Sequence, residues 1–121
     1  MRLNKLDILF SELIRRRAIL RTGGCERCLS WKVSYKLLQC SHYWGRNKKS
    51  VRYDEDNAAG LCPGCHMHLT SHPAEHVQWF EEHLGPDKFN MLQGRMRIKG
   101  KPDEQILLMY YQNMLKALKD E

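Results

Sequence analysis

Apolar side chains recur at spacings of three and four from Leu6 through Leu9, Phe10, Leu13 and Ile14 towards Leu20, which predicts an amphipathic helix over residues 4–21. Asn4, followed three positions later by Asp7, supplies a capping signal, and Gly23-Gly24 stops the helix. Helical periodicity is then weak until residue 62. Within that stretch residues 33–40 and 58–61 read as two short strands. Between them residues 42–52 are basic and aromatic, too polar for a core element. From Pro63 a short helix carries His66, His68 and Leu69. Pro73 opens another, with Val77, Trp79, Phe80 and Leu84 as its apolar face and Gly85-Pro86 at its end. A third runs from Pro86 towards Met96. Pro102 opens the last, where Ile106, Met109, Tyr110, Met114 and Leu118 fall at helical spacing. The fold class is therefore α+β: an N-terminal helix (1–24), a core of two strands and a short helix (25–72), and a helical C-terminal extension (73–121).

Composition narrows the partners. The chain has 121 residues, 42% of them hydrophobic, enough for one small core with helical extensions. A domain of this size buries a limited share of its surface, so a metal staple is in keeping. Twenty Lys and Arg against 14 Asp and Glu give a net charge of +6, which favours a polyanion such as DNA or RNA. The N-terminus has no apolar signal-peptide core, and no apolar run approaches the roughly 20 residues that span a bilayer. A cytoplasmic protein is expected, with reduced thiols and no membrane partner.

In that setting paired cysteines suggest metal. Cys25-Glu26-Arg27-Cys28 and Cys62-Pro63-Gly64-Cys65 have the spacing of two knuckles gripping one tetrahedral zinc ion. A redox Cys-x-x-Cys would follow a strand in a thioredoxin-like pattern, which is missing, and a disulfide would need an oxidising compartment. The 33 residues between Cys28 and Cys62 exceed a simple ribbon insert and should carry structure of their own. Cys40 reads as a small buried residue at a strand end, with a spare ligand as the alternative.

His42, Asn57 and His66 lie inside or beside this clamped segment. Phosphodiester hydrolysis needs water deprotonated near neutral pH, a task suited to histidine, and a cation against the scissile phosphate. His66, one turn into a helix, is placed to bind such a metal; Asn57 can accept the N–H of His42 and fix its tautomer. The plainer reading makes the histidines structural or merely exposed, with His66 a spare zinc ligand. His68 is a poor second ligand, because two positions turn about 200° around a helix.

The text from Leu37 to His42, then Asn57, then Leu61 to His66 resembles the HNH (ββα-metal) nuclease family, in its zinc-bearing branch. The resemblance implies a ββα-metal core, His42 as general base, Asn57 as its orienter, and His66 as ligand of a catalytic Mg2+ or Mn2+. Many members carry an acidic metal ligand immediately before the first histidine; here Ser41 stands there, a weaker and neutral donor. Asp54 or Asp56 is the candidate substitute. A register with His42 as metal ligand and Tyr43 as reactive group fits the spacing less well. More narrowly, Cys40 to Arg46, then Asn47 to Tyr53, then Asp56-Asn57 is similar to phage recombination endonucleases of the lambda NinG (Rap) type. That similarity implies a phage or prophage origin and, by analogy, branched DNA as substrate.

Arg46, Lys48, Lys49 and Arg52 follow His42 as candidate phosphate clamps, and Tyr43 and Trp44 could stack on an unpaired base. The alternative for these is a solvated loop with buried aromatics. Arg15, Arg16, Arg17 and Arg21 either complement a helix C-terminus or form a phosphate-contacting patch. Arg95, Arg97, Lys99 and Lys101 form a basic linker whose plainest reading is a solvated loop. No recognition helix is visible, so sequence-selective cutting is not expected. The expectation is a metal-dependent DNA endonuclease, with its outer helices available for a homodimer. A zinc-dependent nucleic-acid-binding module whose nuclease centre has decayed, or a zinc-stapled interaction protein, are the alternatives.

Overall fold

Helix α1 (Lys5–Thr22) begins at a reciprocal cap. Asn4 Oδ1 accepts from Asp7 N at 2.8 Å, and Asn4 N donates to Asp7 Oδ2 at 2.9 Å. The helix ends on Gly23, whose φ of 75° places it in the left-handed region that favours glycine. These features belong to a computed structural model that describes residues 3–119. After a loop come β1 (Gln39–His42) and β2 (Ala58–Leu61), paired antiparallel with Gln39 opposite Leu61 and His42 opposite Ala58. Four helices follow: α2 (Pro63–Ser71), α3 (Pro73–Leu84), α4 (Pro86–Arg97) and α5 (Glu104–Lys119). Proline in the first turn of α2, α3 and α4 sets each start.

The hairpin lies between two helical layers. Leu6, Phe10, Leu13 and Ile14 of α1 pack with Tyr111 and Leu115 of α5 and with Cys40, Tyr53 and Ala58. On the other side Ala59 and Leu61 pack with Leu69, Phe80 and Phe89 of α2, α3 and α4, together with Cys25 and Cys65. Gly60 is where α1 crosses β2. A Cβ there would lie 2.6 Å from the Ala18 Cβ, so the close approach requires glycine opposite a small, fully buried residue.

Two expectations need correction. The strand expected over 33–40 is mostly a loop with a short 3-10 turn, Tyr35–Leu37, capped by Ser34; the strand occupies Gln39–His42 instead. Val33 is exposed, so its β-branched side chain had no sheet to join. In α5 the buried positions are Tyr111 and Leu115, whereas Ile106, Met109 and Tyr110 face outwards. The helix has apolar residues on more than one face, and docking against α1 chose among them. Leu20 is likewise exposed, beyond the end of the contact between α1 and the core. Among the described residues no helix is long and apolar enough to cross a membrane.

Candidate functional site

The cysteine knuckles meet. The sulfurs of Cys25, Cys28, Cys62 and Cys65 all lie within 4.8 Å of one another, with Cys28 and Cys62 at 3.9 Å. Zn–S bonds of about 2.3 Å in a tetrahedron place sulfurs roughly 3.8 Å apart, so the four thiols fit a structural zinc ion. The first knuckle turns sharply. Leu29 N donates to Cys25 O at 2.9 Å with Leu29 at φ 62°, and Cys25 N donates to Ser30 O. Gly24 sits so close beneath Ser30 that a Cβ would fall 1.9 Å from the Ser30 carbonyl oxygen. The second knuckle opens α2, with Cys62 Sγ accepting from Cys65 N and Cys65 Sγ accepting from Arg27 Nη1, both at 3.4 Å. At Cys65 burial pushes the thiol up, and the Arg27 donor opposes that shift. Cys40 is elsewhere, buried against α1, where burial pushes its thiol up to about 12. It is not a fifth ligand.

His42 closes β1. Cys40 and His42 turn towards α1, as strand alternation requires, and the His42 ring lies 5.7 Å from that of Phe10. Its Nε2 donates to the Arg52 carbonyl oxygen at 3.1 Å, because that oxygen can only accept. Nδ1 is left as the basic nitrogen. Burial, then the charge of Arg46, push the imidazole down to about 4, so it is neutral at neutral pH. The Arg52 side chain is itself held: Nε and Nη2 donate to the two oxygens of Asp7 at 2.9 and 2.6 Å. Asp7 thus caps α1, anchors Arg52, and through the Arg52 backbone supports the His42 ring.

Asn57 does not orient His42. Fully buried, it accepts from Trp44 N at 2.8 Å and donates to the carbonyls of Trp44 and Val51 at 2.9 and 3.0 Å. It pins both arms of the loop between the strands, the loop that presents the Arg52 carbonyl. His66 lies over the opposite face of β1, where Nδ1 donates to Gln39 Oε1 at 2.7 Å and Nε2 remains for a ligand. Ser41, two residues along from Gln39, shares that face and is buried. Among the described residues no hydrogen bond joins the two histidines; their partners are the Arg52 carbonyl and Gln39 respectively. The charge of Arg46 reaches both imidazoles, second to burial in lowering each.

Several predicted contacts are otherwise occupied. Arg52 is not a free phosphate clamp, being bonded to Asp7. Arg46 is half-buried with Nε 3.9 Å from Asp7 Oδ1; Lys48 and Lys49 are exposed. Asp54 and Asp56, proposed substitutes for the acidic metal ligand, instead accept from Arg95 of α4. Tyr43 packs against Phe80, Phe89 and His76 and is not left to stack on a base; Trp44, half-buried, donates through Nε1 to Gln93 Oε1 at 2.7 Å. Of the α1 arginines, Arg17 donates to the carbonyls of Glu55 and Ala58, and Arg16 bonds Glu12 and lies over Tyr35.

Three functional contacts escaped the sequence. Asp7 was legible as a cap but not as the partner of an arginine 45 positions away. Gln39 carried no signal as the partner of His66. Glu26, buried in the first knuckle, accepts from Gly60 N at 2.7 Å and so ties the cysteine cluster to β2; an acidic residue between two paired cysteines was its only mark. Compared with known proteins, the chain matches no family model, no curated protein and no solved structure.

Proposed function

We propose that this chain is a zinc-stapled, metal-dependent endonuclease of the HNH kind, hydrolysing phosphodiester bonds in DNA. The observation that carries the reading is His42. A backbone carbonyl takes its Nε2 proton, leaving Nδ1 basic on a neutral ring at the end of β1, beside the half-buried cation of Arg46. The β–β–α order over residues 39–71 and the four-cysteine cluster at its edge agree with the same reading. In the reaction Nδ1 accepts a proton from water as the water oxygen bonds to phosphorus. The bond from phosphorus to the leaving oxygen breaks, and that oxygen takes up a proton from solvent. Arg46 binds the phosphate and offsets its growing charge.

His66 Nε2 and the Ser41 hydroxyl are the chain's own donors for a catalytic ion. They fall short of the roughly six positions that Mg2+ fills, and water and the substrate phosphate would supply the others. Held there, Mg2+ or Mn2+ would supply positive charge for the phosphate and the leaving oxygen. Asn57 holds the loop, and Gln39 holds the His66 ring.

Nicking of supercoiled plasmid with Mg2+, Mn2+ or no added metal tests the proposal, wild type beside His42→Ala at equal zinc content. Metal-dependent cutting that falls by about 100-fold or more in the variant is expected. Cutting that survives in His42→Ala would show that another group is the base. A second reading, a zinc-dependent nucleic-acid-binding module without catalysis, is favoured by Ser41 and by His66, which, among the described residues, belongs to no group of three or more His, Cys, Asp or Glu ligands. Folded, zinc-bound protein that binds DNA but never cuts it, branched substrates included, would select that reading.

A further inference from the structure

The loop between the strands and the chain leaving α4 face each other across an open groove of about 540 Å³. Lys48 and Lys49 line it from the loop; Arg97, Lys99 and Lys101 line it from the other side. The walls are tied together, since Ser50 Oγ donates to Met96 O at 3.1 Å beneath them. All five cations are exposed, and no carboxylate lines the groove. Lys101 reaches Glu104 at 3.8 Å. Among the described residues the other four make no salt bridge. Two of the three acidic residues of the same loop, Asp54 and Asp56, are turned to Arg95 instead.

Folding thus brings together two basic segments about 50 residues apart, with the Lys101–Glu104 contact the one salt bridge the five cations make among the described residues. Their mutual repulsion is relieved by an anion from outside. The groove is open and bordered by charges at several positions, which suits a chain of repeating phosphates better than a single small anion. Lys49 and Lys101 also line a neighbouring cleft with Arg52, whose carbonyl holds His42, so the cations lead towards the candidate catalytic end of β1. We infer that residues 97–101, with Lys48 and Lys49, form a backbone-tracking groove for duplex DNA. This rests on the nuclease reading and names a substrate contact outside the ββα segment. Phosphate contacts of this kind add affinity without base preference.

The test is binding of a 20-base-pair duplex of mixed sequence, without Mg2+ or Mn2+, across a series of NaCl concentrations. Each phosphate contact adds about 0.9 to the slope of log Kd against log salt. Arg97→Ala/Lys99→Ala/Lys101→Ala should therefore lower the slope by about 2 to 3 and weaken binding at least tenfold at the lowest salt concentrations. Lys48→Ala/Lys49→Ala should lower it by about 2, and Lys99→Arg/Lys101→Arg should leave it unchanged. An unchanged slope in the triple variant, with zinc content and circular dichroism intact, overturns the inference. Binding to vesicles of mixed phosphatidylcholine and phosphatidylserine but not to the duplex also overturns it. Plasmid nicking separates the two claims. A wild type that never cuts, with the slope change as expected, defeats the nuclease and leaves the groove; cutting with no slope change does the reverse.

Discussion

Asp7 does three jobs with one carboxylate. It completes the cap of α1, accepts both Arg52 donors, and lies near Arg46. Burial raises its pKa, but the Arg52 hydrogen bond, the Asn4 amide and the two arginine charges outweigh that, and the net shift is downward from 3.8. A depressed carboxylate stabilises the fold above its unfolded pKa and loses that contribution as pH falls below 3.8. His42 acts in a higher window. Its folded pKa of about 4 lies below the unfolded 6.5, so the unfolded chain takes up the proton first. Stability should then fall as pH drops from 6.5 towards 4, by about 1.4 kcal/mol per pH unit at most from this ring. Urea denaturation at pH 7.5, 6.0 and 5.0, with zinc content followed in parallel, measures it; a flat profile would mean that the ring is protonated in the fold. Asp7→Asn breaks a buried pair and leaves Arg52 unanswered. It should cost about 3 kcal/mol or more and reduce plasmid cutting through loss of the His42 support.

The hairpin shows how elements are fixed by what crosses them. Two four-residue strands are too short to stand alone, and here α1 covers one face while α2, α3 and α4 cover the other. Gly60 permits the α1 crossing. Gly60→Ala should force α1 away from β2 and lower stability by about 1–3 kcal/mol, read as a reduced urea midpoint with zinc still bound. An unchanged midpoint would show that the layers separate easily. The caps, stops and proline starts of α1 to α4 were legible because they are chemistry of adjacent residues. The first strand was misplaced by several residues because Val33 and its neighbours carry β propensity whether or not a partner strand exists. The exposed side of α5 was misjudged for a related reason, since periodicity names apolar stripes but not which one meets α1.

At the scale of the molecule the four-cysteine cluster, which could hold a metal such as zinc, joins the loop after α1 to the start of α2, and Glu26 joins that loop to β2. A structural zinc ion contributes on the order of 10–16 kcal/mol, as much as the whole stability of an ordinary domain. Stripping the metal with a strong chelator should therefore abolish the cooperative thermal transition seen by far-ultraviolet circular dichroism, and added zinc should restore it. A transition that survives metal removal would show that the packing of α1 and α5 suffices. Charge is also a property of this scale. The +6 total was plain from composition, but its concentration between residues 48–49 and 97–101 was not.

By itself the sequence marked the two cysteine pairs as candidate metal ligands, the order of helices and strands, and the placing of His42 and His66 on either side of the second strand. Each is set by spacing along the chain, where a few residues of backbone fix which groups meet. Beyond the two cysteine pairs, tertiary structure decided which polar side chains meet across tens of residues. It gave Asn57 to the loop rather than to His42, Arg52 to Asp7, Asp54 to Arg95 and Gln39 to His66. A polar side chain has several suitors of the right chemistry, and only the folded distances choose among them.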